Sequence, residues 1–97
     1  MWIKTEDGIL INAEKIAYIA KRKVLQQTEL GKFITVGIRV VACFAISDIH
    51  NDVEIDIISY IDDNMEKANV EAERMMNYIV RNLYSGDIKV MEIDDFK

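Results

Sequence analysis

The amino-acid sequence predicts one α+β domain, in which a curved antiparallel β-meander or partly open barrel packs against one long C-terminal amphipathic helix. Three observations predict this fold. Apolar and polar residues alternate over residues 32–46 and 53–60, which is the period of a half-buried strand. An apolar stripe at helical spacing occupies residues 62–84. A short apolar segment at residues 88–93 predicts a further strand after the helix.

The composition sets the class of protein. A chain of 97 residues with 51% hydrophobic and 30% charged residues has the size and balance of one globular domain, so we treat residues 1–97 as a unit. The single cysteine, Cys43, excludes an internal disulfide and favours a reducing, cytoplasmic location. The N-terminus has no apolar signal segment, and every uncharged apolar run is far shorter than the roughly 20 residues that span a bilayer. We therefore predict no membrane partner.

The first element is a predicted tight hairpin over residues 2–13. Asp7-Gly8 supplies the positive φ of a two-residue turn between two short apolar segments. Residues 15–27, which follow, fit a helix or a strand, because some apolar residues recur at helical spacing while others alternate. We favour the strand, since Thr28-Glu29-Leu30-Gly31 is a turn signal that would make it the hairpin partner of the next strand.

The strand over residues 32–46 has one apolar face, which we assign to the core: Ile34, Val36, Ile38, Val40, Ala42, Phe44 and Ile46. At about 3.3 Å per residue it would run about 50 Å, whereas a compact domain of this size is about 30 to 35 Å across. The strand must therefore bend, and Gly37 is the expected position. Beyond Gly37 the other face carries Val41, Cys43 and Ala45, so this half should be covered on both sides.

The strand over residues 53–60 should turn Val53, Ile55 and Ile57 inward. Opposed residues in a hairpin have a constant index sum, so pairing these odd positions with the even core positions of the preceding strand requires a loop of even length. A two-residue turn at His50-Asn51 or Asn51-Asp52 satisfies this requirement.

The helix is predicted from an apolar stripe of seven residues: Met65, Ala68, Ala72, Met75, Met76, Ile79 and Leu83. Asp63, followed three residues later by Glu66, indicates a capping box at its start. Gly86 stands where a left-handed residue would end it.

The segment W-I-K-T-E-D-G-I-L-I-N-A-E-K-I at residues 2–16 resembles the start of small uncharacterised bacterial proteins, which are single domains built from a curved β-meander and a C-terminal helix. Some of these proteins are similar to pleckstrin-homology-like barrels. The shared pattern is W-I-x-x-x-D-G-x-L-I-N, over about the first sixth of the chain. The resemblance implies a strand at residues 15–22 and carries over no functional residue.

Two clusters are candidates for binding small ligands or nucleic acid. Asp48, His50 and Asp52 place the only histidine between two carboxylates, which together form a ligand set for a divalent metal. Turns without proline use the same residues, so we predict no metal and no other cofactor. Lys21-Arg22-Lys23 is a candidate for weak nucleic-acid binding, which the net charge of −5 opposes.

The leading functional prediction is a non-enzymatic protein-interaction module, which binds a protein partner or a second copy of itself. No catalytic triad or phosphate-binding glycine loop is recognisable in the sequence, and Cys43 lies among apolar neighbours where a thiol is usually inert. Val70 and Tyr78 are apolar residues on the otherwise polar side of the helix, about 12 Å apart, with Arg74 on the line between them. We take Val70, Arg74 and Tyr78 as the candidate interaction residues.

Overall fold

The computed structural model describes residues 1–45, 53–85 and 90–96. Within these residues, six strands form two three-stranded sheets and one long helix follows the fifth strand. The α+β fold is confirmed, with the strands in two open sheets. The elements are β1 (Trp2–Lys4), β2 (Leu10–Asn12), β3 (Tyr18–Gln27), β4 (Phe33–Phe44), β5 (Val53–Ile61), α1 (Met65–Ser85) and β6 (Val90–Glu92), with short 3-10 turns at Ala13–Lys15 and Ile93–Phe96.

The smaller sheet has the order β2-β1-β6. The hairpin of β1 and β2 is antiparallel, as predicted, and β6 confirms the predicted strand after the helix. β6 pairs with β1 in parallel, which the sequence did not indicate. A parallel pair needs a long crossover, and here the crossover contains the larger sheet and the helix. Ile3, Ile11 and Met91 are the buried residues of the three strands.

The larger sheet has the antiparallel order β3-β4-β5, which confirms the strand interpretation of residues 15–27 from Tyr18 onward. Lys15 ends a 3-10 turn instead. Phe44 pairs with Val53, so even positions of β4 oppose odd positions of β5 near their connection, as predicted. The turns predicted at His50-Asn51 and Asn51-Asp52 lie outside the described residues. Either would place Phe44 opposite Ile57 or Ser59, which is not the observed register.

The turn between β1 and β2 is one residue longer than predicted. The Thr5 N–H donates to the Ile9 carbonyl at 2.8 Å, and the Gly8 N–H donates to the Thr5 carbonyl at 2.9 Å. The loop therefore contains Glu6 as well as Asp7-Gly8. Gly8 alone supplies the positive φ, at +85°, because a three-residue hairpin loop needs the left-handed conformation only at its last position.

The turn between β3 and β4 is built in the same way. The Thr28 N–H donates to the Lys32 carbonyl at 2.7 Å, the Gly31 N–H donates to the Thr28 carbonyl at 3.0 Å, and Gly31 has a φ of +79°. In both turns the threonine hydroxyl also accepts the N–H of the residue after glycine. T-E-D-G and T-E-L-G are thus two copies of one loop.

β4 is irregular next to Gly37, as predicted. Opposite β3, the register passes from Val24–Gly37 to Leu25–Thr35, so Val36 is an extra residue that forms a bulge. A Cβ atom at Gly37 would overlap the carbonyl oxygen of Tyr60 and lie 3.0 Å from Ile61 Cα. Glycine is needed here because β5 approaches closely, and not because of its φ.

One core joins both sheets and the helix. Its fully buried members come from every layer: Ile3, Ile11, Val40, Ala42, Ile57, Ile58, Ala72, Met75, Ile79, Met91 and Ile93. The predicted helix stripe is therefore confirmed. Ile34, assigned to the core from its alternation, is exposed, because β5 ends opposite Gly37 and does not extend beside residues 33–36.

The helix begins three residues later than the predicted residue 62, and its cap is Asn64 rather than Asp63. The Asn64 side-chain oxygen accepts the N–H groups of Glu66 and Lys67 at 3.1 and 3.3 Å. These are two of the donors that the first turn of a helix leaves unpaired. The predicted C-cap, Gly86, lies outside the described residues.

Glu6 ties the two sheets together. Its N–H donates to the Ile57 carbonyl at 2.9 Å, and its carboxylate accepts the Ser59 N–H at 3.4 Å. The β1–β2 loop therefore contacts the backbone of β5, the edge strand of the larger sheet. Ile57 is also the extra residue of a bulge against β4, which lets Ile57 and Ile58 both reach the core.

We expect Gly37→Ala to lower the free energy of unfolding by about 2 to 3 kcal/mol, because the new methyl group must displace the backbone of β5. Gly8→Ala is the matched control. Nothing lies within 4 Å of a Cβ there, and only the left-handed backbone opposes the change, at about 1 kcal/mol. Urea unfolding measures both values, and equal losses would contradict the steric explanation.

We expect Asn64→Ala to lower the stability by about 1 kcal/mol, since it removes the acceptor for two helix N–H groups. Asp63→Ala, one residue earlier, should change it by less than about 0.5 kcal/mol. Thermal unfolding of the two variants distinguishes the caps. A larger loss of stability for Asp63→Ala than for Asn64→Ala would contradict this and indicate Asp63 as the cap.

Candidate functional site

The helix residues predicted as an interaction surface are only partly exposed. Val70 is 50% exposed, and the guanidinium of Arg74 lies 3.4 Å from the carboxylate of its neighbour Glu71. Tyr78, however, is half-buried and packs against the core. The sequence placed Tyr78 on the polar side of the helix, and its packing shows that the apolar arc of the helix is wider than the wheel indicated. Its role in an interaction stays a prediction.

The basic cluster Lys21-Arg22-Lys23 does not form one patch, because alternate residues of a strand face opposite ways. The Lys21 ammonium donates to Asn69 and Glu73 of α1, both at 2.7 Å. Arg22 lies on the opposite face of the sheet and donates to Glu54 at 2.8 Å. Two of the three charges are thus paired within the chain, which leaves little positive charge for a phosphate backbone.

The predicted metal ligands Asp48, His50 and Asp52 lie outside the described residues. Among the residues that the structure describes, no three histidine, cysteine, aspartate or glutamate side chains are close enough to hold a metal ion.

Cys43 is fully buried in β4, beneath a charged ladder that crosses the outer face of the larger sheet. The ladder consists of Arg22, Glu54, Arg39 and Asp56, with Arg22–Glu54 at 2.8 Å and Arg39–Asp56 at 2.6 Å. The hydrogen bond to Glu54 raises the pKa of Arg22 above its ordinary value. The ladder covers apolar residues, as the buried Val41 confirms for this half of β4.

A groove of about 630 Å³ lies between the end of β5 and the first half of α1. Its charged residues are Asp62, Lys67, Glu71 and Arg74, and each cation already has an acidic neighbour. Burial, followed by the charges of Glu71 and Glu6, raises the pKa of Tyr60. At neutral pH its phenol is therefore protonated and is a hydrogen-bond donor.

The two large apolar side chains with the highest exposed fractions in the described part of the chain are at the end of the β3–β4 hairpin. Leu30 is 86% exposed and Phe33 is 66% exposed, with Leu25 and Ile34 about half exposed. β5 pairs with β4 only from Gly37 onward, so this end is a two-stranded ribbon extending past the sheet. We name these four residues, Leu25, Leu30, Phe33 and Ile34, the ribbon end.

The sequence contained two signals for the exposed ribbon end, and we interpreted the first of them as a bend. The calculated strand length of about 50 Å exceeded a compact domain, and we resolved that conflict by predicting a bend. The molecule measures 48 × 35 × 20 Å, so it is elongated even though β4 has a bulge next to Gly37. Leu30, an apolar residue inside a turn, was the second signal.

A second exposed apolar patch covers the outer face of the smaller sheet. Trp2 in the central strand is flanked by Val90 of β6, and Leu10 of β2 lies one row away. All three are about half exposed. Their neighbours Lys4 and Glu92 carry opposite charges, so the patch is small and interrupted.

No protein-family model, curated protein or solved structure matches this chain. The resemblance of residues 2–16 to pleckstrin-homology-like proteins therefore stays a prediction. None of the helices in the described part of the chain is both long enough and apolar enough to cross a membrane.

The Lys21–Glu73 pair predicts a pH dependence. Its hydrogen bond lowers the pKa of Glu73 below the ordinary value of 4.5. A lowered folded-state pKa gives stability that is present above the unfolded-state pKa and is lost as pH falls through the folded-state pKa. We expect Glu73→Gln to be less stable than the natural chain at neutral pH, and the difference to vanish below the lowered pKa. Urea unfolding across this range tests it, with Glu14→Gln as control, since Glu14 is exposed. A difference independent of pH would contradict the pairing.

Proposed function

We propose that this chain is a non-enzymatic protein-interaction module that contacts its partner through the ribbon end. The observation that carries the proposal is the exposure of four large apolar side chains in one short hairpin, with Leu30 at 86%. A domain this small has little apolar surface to spare from its core. Leu25 and Phe33 lie on one face of the ribbon and Ile34 on the other. Exposed apolar surface that is larger than isolated side chains is a mark of contact sites.

Comparison of the two T-E-x-G loops supports this role for Leu30. Both loops are closed by the same hydrogen bonds from threonine and the same left-handed glycine. The third position is Asp7 in one loop and Leu30 in the other, and in neither does it take part in those bonds. Loop geometry therefore does not require leucine, and a polar residue serves the first loop equally well.

The ribbon also suits docking because, among the described residues, its apolar side chains on both faces are about half exposed or more. Its strands are joined to each other by the pairs Gln27–Phe33, Gln26–Ile34 and Leu25–Thr35, and β5 does not extend beside them. A two-stranded ribbon alone in water is only marginally stable. Transfer of a side chain such as Phe33 or Leu30 into an apolar pocket is worth about 1.5 to 3 kcal/mol, so a partner would stabilise the ribbon as it binds.

The rest of the described surface offers weaker support for a reaction centre. Charged side chains of the outer sheet face and of the β5–α1 groove are paired with one another. Cys43 is fully buried and its nearest polar contact, Glu54, also bonds Arg22. A cytoplasmic location goes with the proposal, because a buried lone thiol suits a reducing compartment.

Photo-crosslinking in the native cells tests the proposal. We expect a photoreactive phenylalanine derivative at Leu30 to give one discrete crosslinked species, because a residue 86% exposed can accept the larger ring without disturbing the fold. The same group at Val70, half exposed on α1, is the matched control and represents the helix surface predicted from the sequence. Mass spectrometry of the crosslinked species identifies the partner.

The combined change Leu30→Asp and Phe33→Asp provides the second arm. It should abolish association while leaving the circular dichroism spectrum and the unfolding midpoint nearly unchanged, since both side chains are exposed. Equal crosslinking from Val70 and Leu30, or association that survives the double change, would overturn the ribbon end as the binding surface.

A further inference from the structure

The outer edge of β3 is an open strand edge. β3 is ten residues long and, within the described chain, pairs on one side only, with β4. Natural edge strands are usually protected by charged residues, especially lysine, by proline or by a bulge of their own. In β3 the charged residues Lys21-Arg22-Lys23 precede residues 24–28, which carry no charge. The chain has no proline, and the bulge in this hairpin is on β4. An edge of this kind can accept another strand by backbone hydrogen bonding.

The hydrogen bonds of the hairpin show which residues point their backbone groups outward. The Thr28 N–H donates to Lys32 of the neighbouring strand, so Thr28 points inward. Backbone direction alternates along an antiparallel strand. Gln27, Leu25 and Lys23 therefore present their N–H and carbonyl groups at the open edge.

Two unpaired charges stand at the two ends of this edge segment. Within the described residues, the side chains of Lys23 and Glu29 have no hydrogen bond or ion pair, whereas Lys21 and Arg22 are both engaged. Between them lies the uncharged stretch Val24-Leu25-Gln26-Gln27-Thr28. The segment is positive at one end and negative at the other, so it is complementary in charge to its own antiparallel copy.

We propose that the edge of β3 pairs antiparallel with β3 of a second copy of this chain, about a twofold axis at Gln26. This inference rests on the proposed function and names a second copy of the chain as the partner. Of the ribbon end, the pairing itself covers Leu25, whereas Phe33 and Ile34 lie on β4. In this register Lys23 of each copy lies next to Glu29 of the other, and Leu25 opposes Gln27. The contact is isologous, so it closes as a dimer and does not propagate into a fibre.

The geometry selects this register over its neighbours. A shift by one residue would oppose outward-pointing residues to inward-pointing ones and lose the hydrogen bonds. A shift by two would put Lys23 opposite Gln27 or Gly31 and leave the charges unmatched. The chosen register also places the two Leu25 side chains diagonally, about 7 to 8 Å apart, where they cover each other.

A charge-reversal series tests the pairing by sedimentation equilibrium. The natural chain should sediment at twice its mass of 11.2 kDa. Lys23→Glu and Glu29→Lys should each raise the dissociation constant at least about tenfold, because each places like charges together twice in the dimer. The double variant, with the two charges exchanged, should return to within about threefold of the natural chain. A double variant as weak as the single variants would overturn the register.

A disulfide provides a geometric test. Gln26 faces its own copy across the axis in a pair without hydrogen bonds, where Cα atoms are about 4.5 Å apart, within the range that a disulfide spans. Gln26→Cys should therefore form a covalent dimer on mild oxidation. Gln27→Cys, whose copy is diagonal and about 7 to 8 Å away, should form far less. Equal yields at both positions would contradict the twofold axis.

The outcomes separate this inference from the proposed function. A natural chain that stays monomeric at every concentration, while the Leu30 probe crosslinks one other protein, would overturn the pairing and leave the interaction module standing. A dimer that responds to neither the charge reversals nor the Gln26 disulfide would also overturn it.

Discussion

The structure depends on covering both faces of one strand over half of its length. Val40, Val41, Ala42 and Cys43 are consecutive residues of β4, and all four are fully buried. Consecutive strand residues face opposite ways, so two different covers are required. The helix covers the face of Val40 and Ala42, and the charged ladder covers the face of Val41 and Cys43. Full burial of a valine side chain contributes about 1.5 to 3 kcal/mol, so Val40 and Val41 stabilise the fold from opposite faces of β4.

The charged ladder contributes mainly as a cover. Exposed ion pairs are worth about 0 to 1 kcal/mol each, and the arginine and acidic side chains of the ladder are all partly exposed. Their aliphatic stems, however, can exclude water from the residues beneath while the charged ends remain hydrated. The sheet thus obtains a second cover without a second layer of helices. The same pairing occupies the polar groups of this face, which leaves little for a ligand.

The sequence predicts the strands and the helix better than it predicts which of their side chains are buried. Alternation identified β4 and β5, and the helical stripe identified the buried face of α1, because these periods follow from backbone geometry alone. β3 had both periods, and only the turn signal after it favoured the strand. Ile34 and Val40 carry the same signal in that alternation, yet one is exposed and the other buried. The two differ because β5 ends opposite Gly37, and the alternation of β4 does not show how far its neighbour extends.

The errors at the helix cap and at the first turn have a local cause. Adjacent polar residues, such as Asp63 and Asn64, compete for the same role. Tyr78 was misplaced because a wheel gives a direction but not the width of the contact.

The part of β4 that is covered on both faces ends where the ribbon end begins. β4 passes from the most buried segment of the protein to its most exposed apolar residues within a few positions, and Gly37 marks the change. At Gly37 the backbone of β5 lies too close for any side chain, and beyond it β5 no longer pairs. A strand that stopped at Gly37 would leave the core intact, since residues 33–36 contribute no fully buried side chain. Packing of the core therefore does not account for the apolar character of the ribbon, and this is the observation from which the proposed contact with another chain is argued.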